Sequence, residues 1–259
     1  MRDGRYISLS ALALSSAAMV LAGVFGAATN ASPTAGLRLG RMLSVGSPGN
    51  GNPHGKTLYS LNWSGYIAAA APKYGSVAAS WQEPAGSCRG GDQYSSFWAG
   101  LDGLHSKTVE QIGTEVDCHG NTPIYYAWYE LYPAAPVKLA GPVKPADKIS
   151  ASVTATAGGS FVLKISDAGK WTVRKKVDLP SAKRASAEVI AEAPCCTASG
   201  GILPLADFGT VRFTGAMVNG TPLGDLQHTE IVMQSGPVYK DEVSAITHAA
   251  DFGITWLHS

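Results

Sequence analysis

The sequence predicts an all-β protein, an antiparallel sandwich of two packed sheets, and three observations predict it. Gly (30) and Pro (15) are frequent among the 259 residues while only 15% of them are charged, which suits many short strands joined by tight turns. From Asn62 onward, short segments of alternating apolar and polar character recur between turn signals. No helical periodicity lasts more than about two turns beyond the first thirty residues. With 45% hydrophobic residues the chain has enough apolar surface for a proper core.

In chain order, residues 1–31 read as a secretory signal. Arg2 and Arg5 supply a basic start, Ile7 through Ala28 are uncharged and mostly apolar or small, and Ala27, Ala28 and Ala31 offer cleavage sites. The stretch is long enough to span a bilayer, but its Ala/Ser/Gly richness favours a cleaved signal over an anchor. The expectation is a secreted, extracellular protein with no membrane segment after cleavage, and a monomer by default. Residues 32–57 are rich in Gly, Pro, Ser and Asn, as in Gly46-Ser47-Pro48-Gly49-Asn50-Gly51, and read as a flexible linker or propeptide. Losing everything before Leu58 removes Arg2, Arg5, Arg38, Arg41 and Lys56 against Asp3 alone, so the remaining domain, 58–259, is mildly acidic. The formal net charge of +1, with no basic run longer than Arg174-Lys175-Lys176, argues against nucleic acid as a partner.

Strands are expected at 62–69, 76–82, 94–101, 108–115, 123–132, 148–157, 160–167, 170–177, 186–193, 209–218, 226–234 and 252–257. Gly158-Gly159 and Asp167-Ala168-Gly169 mark hairpin turns joining three of them in succession. Export permits disulfides, and Cys88–Cys118 is the preferred bridge because both lie in polar, Gly-containing loops. Cys195 and Cys196 then form a vicinal bridge or stay reduced. A zinc site lacks any Cys-x-x-Cys, and His119 beside Cys118 is weak support, so neither metal nor cofactor is expected.

Alternation says which side chains share a face. Tyr126, Trp128, Glu130 and Tyr132 point one way, three aromatics around an acid. An apolar core would not choose that Glu, since an unpaired buried carboxylate is costly, whereas a substrate groove would. Glu188, Ile190 and Glu192 share a face, as do Val109, Gln111 and Gly113, where Gly113 would let a substrate backbone come close. Taken singly, these acids also fit a solvent-facing strand, and Gln111 an ordinary polar position.

Five words in order carry a resemblance: Asn62-Trp63-Ser64-Gly65-Tyr66; Phe97-Trp98-Ala99-Gly100-Leu101-Asp102-Gly103; Glu110-Gln111-Ile112-Gly113-Thr114-Glu115; Tyr126-Ala127-Trp128-Tyr129-Glu130-Leu131-Tyr132-Pro133; and Ala187-Glu188-Val189-Ile190-Ala191-Glu192-Ala193-Pro194. The set resembles the eqolisins, the glutamic peptidases. The resemblance implies a concanavalin A-like (jelly-roll type) sandwich of two large antiparallel sheets with the active site in the groove of the concave sheet, and protein or peptide substrates. It implies Gln111 and Glu192 as the catalytic pair, Trp63, Trp98 and Trp128 as aromatics lining the groove and Glu130 as an acid near the pair, and gives Glu188 no catalytic task; with Tyr132, on the face of Trp128 and Glu130, these are the expected substrate-binding residues. Ionised Glu192 would deprotonate a water that attacks the scissile carbonyl, and the Gln111 amide would orient that water and donate to the oxyanion. The chain departs from the family at Leu104-His105-Ser106, where a Cys is usual, and at Glu115, where an Asp is usual.

Two other classes fit the same residues. A β-sandwich glycoside hydrolase could use Glu130 and Glu192, if their carboxyls lie about 5 Å apart. A carbohydrate-binding module without catalysis would use the aromatics alone. A serine hydrolase is disfavoured by the lack of Gly-x-Ser-x-Gly.

Overall fold

Alternating segments do become strands, and they stack into two sheets. The computed structural model describes residues 42–43, 49–52, 55–195 and 201–259. Contacts divide the chain into Met1–Thr34 and Ala35–Ser259, and all described residues belong to the second unit. The expected signal, 1–31, lies outside the described residues, as does Cys196.

The strands are β1 (Gly49–Asn52), β2 (Gly55–Ser60), β3 (Trp63–Ala68), β4 (Ser76–Gln82), β5 (Asp92–Asp102), β6 (Val109–His119), β7 (Thr122–Tyr132), β8 (Val137–Lys138) and β9 (Lys148–Ala155). They continue as β10 (Ser160–Asp167), β11 (Trp171–Asp178), β12 (Ala187–Glu192), β13 (Thr210–Val218), β14 (Thr221–Pro222), β15 (His228–Ser235), β16 (Val238–Tyr239), β17 (Asp241–Val243) and β18 (Phe252–Trp256). The larger sheet runs β1-β2-β15-β3-β12-β5-β6-β7-β8, with β16 beside β15. The smaller runs β11-β10-β9-β4-β13-β18-β17, with β14 beside β13. Pairing is antiparallel except between β2 and β15, which run parallel.

Every strand expected from the sequence is present, with ends shifted by a few residues. The β9–β10 and β10–β11 connections turn through Gly158, Gly159 and Gly169, each at positive φ, where glycine pays no Cβ penalty. β1 and the start of β2 fall inside 32–57, the stretch read as a flexible linker or propeptide. Their Gly/Asn-rich sequence has no alternation to betray them, and they gain order as edge strands, β2 on β15 and β1 on β2.

One face of the larger sheet packs against the smaller sheet. Phe97, Ala99, Leu101, Ile112, Ala127, Ala187 and Val189 meet Trp81, Val153, Leu163 and Phe213 there. Side chains one residue out of phase form a separate cluster on the opposite, outer face: Trp63, Ile67, Trp98, Val109, Trp128, Ile190 and Ile231. Period-2 alternation thus gives the larger sheet two apolar faces. The two sheets are also joined by polar ties. Ser64 Oγ and Met233 N donate to Asp241, and Thr114 Oγ1 and Trp81 Nε1 donate to Glu83 Oε2. Cys88 and Cys118 form the expected disulfide. Cys195 is also disulfide-bonded.

Candidate active site

The register of four neighbouring strands, β12, β5, β6 and β7, sets what meets what on the outer face. One row crosses the sheet as Glu188, Gly100, Gln111 and Glu130. The next reads Ile190, Trp98, Gly113 and Trp128. A third reads Glu192, Ser96, Glu115 and Tyr126, with Trp63 beside Glu192 on β3.

This register separates the pair expected to be catalytic. Gln111 and Glu192 lie two strands and four residues apart, roughly 16 Å between Cα atoms from strand spacing and rise. Side chains of five heavy atoms each, pointing the same way, do not bridge that gap. Glu188 instead stands in the row of Gln111, separated from it only by Gly100, about 10 Å between Cα atoms. Gly100 leaves the space above it to its neighbours: a Cβ there would lie 2.8 Å from Trp98 Cζ3 and 3.1 Å from Gln111 Cβ. The resemblance gives Glu188 no catalytic task, and alternation puts both acids of β12 on one face without saying which one is level with Gln111.

Around Gln111 the polar geometry is specific. Its Nε2 donates to Glu130 Oε2 at 2.6 Å, which fixes the amide orientation. Gln111 Oε1 is buried with no hydrogen-bond partner. Ser186 Oγ donates to Glu188 Oε1, while Glu188 Oε2 is likewise buried and unpartnered. Gln111, Glu130, Glu188 and Glu192 are all fully buried. Burial holds the Glu188 carboxyl well above the usual carboxylate range, helped by the nearby charges of Asp102 and Glu110 and opposed by the Ser186 hydroxyl. Two orphaned acceptors on one row are a costly arrangement in a static core and a useful one at a reacting centre. A water placed between them can donate to both.

The loop into β12 is fixed by Asp102. Its carboxylate accepts the main-chain N–H groups of Lys183 and Arg184 at 2.8 Å and of Ala185 at 2.7 Å, and Thr108 Oγ1 at 3.2 Å. Asp102 N in turn donates to Ser186 O at 3.0 Å. The position of Glu188, two residues on, therefore rests on a buried acid that sequence reading passed over; a lone Asp in a Gly-x-Asp-Gly word carries no signal of such a role.

The aromatic residues expected to bind substrate do share the outer face. Trp63 and Trp98 meet edge to face with centroids 4.8 Å apart, and Trp128 completes the apolar cluster, with Tyr132 packed against it. Gly113 does not open a path for a substrate backbone, as read from the sequence. A Cβ there would lie 2.6 Å from Trp98 Cβ, so its missing side chain makes room for Trp98. Glu192 accepts from Trp98 Nε1 at 2.9 Å and from Asn62 Nδ2 at 3.2 Å. Glu130 and Glu192, the pair a glycoside hydrolase would need, are three strands and four residues apart, roughly 20 Å. That exceeds the carboxyl spacing of either hydrolytic geometry.

The Peptidase A4 family model matches residues 61–245. Among solved structures, scytalido-glutamic peptidase with a transition state analog inhibitor is 24% identical, with a TM-score of 0.66, covering 76% of this chain and 98% of that one. SCP-B, a member of the eqolisin family of peptidases bound to the tripeptide Ala-Ile-His, is 22% identical with a TM-score of 0.62, covering 76% and 98%. Aspergilloglutamic peptidase from Aspergillus niger is 22% identical with a TM-score of 0.56, covering 64% and 99%. No curated protein sequence matches.

Proposed function

The chain belongs to the Peptidase A4 family, the eqolisin glutamic peptidases, and from that premise we propose that it is an acid endopeptidase whose catalytic pair is Gln111 and Glu188. The observation that carries the pairing is the row Glu188–Gly100–Gln111–Glu130, with one orphaned oxygen on each of Glu188 and Gln111.

In this reading a water bridges Gln111 Oε1 and Glu188 Oε2. Ionised Glu188 removes its proton as the water oxygen attacks the scissile carbonyl. The carbonyl oxygen becomes an oxyanion, and the second N–H of Gln111 Nε2 donates to it, the first being held by Glu130. Glu188, now neutral, passes the proton to the leaving nitrogen as the C–N bond breaks. Burial disfavours the charged carboxylate, so charge leaving Glu188 in the transition state is favoured over charge kept in the ground state. Glu130 orients the Gln111 amide, and Ser186 orients Glu188. Peptide substrates fit a sheet face that carries Trp63, Trp98, Trp128 and Tyr132, and the inhibitor and tripeptide complexes of the similar structures support that class.

Export is also part of the proposal. The basic, then apolar, first thirty residues support it, and the Cys88–Cys118 bridge is at home in an oxidising compartment. The test is casein cleavage by the purified protein from acid to neutral pH with EDTA and pepstatin present. Cleavage in acid that survives both inhibitors and falls about 10²–10³-fold in Gln111→Ala is the expected result. A Gln111→Ala protein as active as its parent overturns the pairing.

A further inference from the structure

A second polar station stands four residues along β12 from Glu188, and a piece of this chain is bound to it. Leu43 donates its main-chain N–H to Asn62 Oδ1 at 2.9 Å. The Leu43 carbonyl accepts from Leu61 N at 2.8 Å. Met42, just before it, is 8% exposed and belongs to the outer-face cluster of Trp63, Trp98 and Trp128.

The Asn62 carboxamide is not free to turn. Its Nδ2 donates to Glu192 Oε1 at 3.2 Å, so Oδ1 faces away, where Ser60 Oγ also donates to it at 3.0 Å. The other oxygen of Glu192 accepts Trp98 Nε1 at 2.9 Å. One buried carboxylate thereby sets the direction of an amide acceptor and holds the indole beside it. An oriented acceptor for a main-chain N–H next to an apolar pocket is how extended peptides are commonly held.

We propose that Asn62, oriented by Glu192, anchors the main chain of a bound peptide substrate, while the adjoining tryptophans receive an unbranched apolar side chain from the residue before the anchored N–H. Met42–Leu43 stands in for that peptide in this structure. The proposal rests on the peptidase reading and gives Glu192 a positioning role in place of a chemical one. The rows of Glu192 and Glu188 are about 13 Å apart along the strands, so the anchored N–H lies some four residues from the bond that is cut. Loss of the anchor therefore raises KM and leaves kcat nearly alone.

The experiment uses the full chain and a set of peptides in which an ester replaces one non-scissile amide at a time. For the parent, one ester position should weaken binding about tenfold, the effect of one well-made hydrogen bond, and the others should not. Asn62→Ala should show about a tenfold higher KM for the all-amide peptide, with kcat changed less than about threefold, and no penalty at that ester position. A residue that merely supported the fold would lower kcat and stability without altering the ester profile. Tryptophan emission gives binding of the same peptides independently of turnover. Absence of cleavage therefore counts against the peptidase reading, whereas equal binding of amide and ester peptides at every position, measured on the parent alone, overturns the anchor.

Discussion

Gly100 is the one residue between Gln111 and Glu188 in their row. A methyl group there meets Trp98 Cζ3 at 2.8 Å and Gln111 Cβ at 3.1 Å, so both side chains must shift. Gly100→Ala is expected to lower kcat/KM at least about tenfold while moving Tm by only a few degrees, checked by peptide kinetics beside calorimetry. An Ala variant with parental kinetics would mean that the site tolerates that shift. At this scale the sequence was half legible. Alternation put Glu188 with Glu192, and Glu130 with its aromatics, on one face of their own strands, as found; the register brings them and Gln111 to one face of the sheet. Choosing between the two acids of β12 required the β12–β5 register, which joins strands some ninety residues apart and leaves no mark in either strand's own sequence. The β5–β6 register is different: Asp102 pairs with Val109 across a short connection, so the level of Gly100 with Gln111 was within reach of counting.

At the scale of elements, β12 is held in place by its approach as much as by its neighbours. Asp102 gathers three consecutive main-chain N–H groups at residues 183–185, and removing it strands them. Asp102→Ala is expected to destabilise the fold by about 2–4 kcal/mol, read by urea unfolding, since charged hydrogen bonds are worth about 1.5–3 kcal/mol each and are not additive. Because Glu188 follows within a few residues, kcat should fall as well; unchanged stability would contradict the role given to Asp102. Strand positions were largely legible, since β3 through β7, β9 through β13, β15 and β18 all carry alternation or apolar runs bounded by turns. The edge strands were not. β1 has the sequence Gly-Asn-Gly-Asn and β8, β14 and β16 have two residues each, too short for any period. Their order comes from the sheet they join.

At the scale of the whole molecule, six buried carboxyls make the fold an acid-adapted object. Burial pushes Asp117 up to about 6, Asp241 to about 7, Glu83 to about 8 and Glu110 to about 9, and holds Glu115 and Glu188 well above the usual range. The unfolded chain releases these protons near the ordinary values of 3.8 for Asp and 4.5 for Glu, whereas the fold keeps them longer. Their contribution to stability is thus fully present below about pH 4 and is lost as pH rises through about 6 to 9. Tm should be at least about 5 °C higher at pH 4 than at pH 8, and a flat or rising profile would contradict this. Net charge gave no hint of this, because the acids concerned are inside and uncharged when the fold is strongest. Whether Glu188 or Glu192 works with Gln111 is decided by kcat/KM on one peptide for the parent, Glu188→Gln and Glu192→Gln across acid pH. With Glu188 as the partner, kcat/KM falls at least about 10³-fold in Glu188→Gln and no more than about tenfold in Glu192→Gln, the latter carried mainly by KM. The reverse order would contradict that pairing.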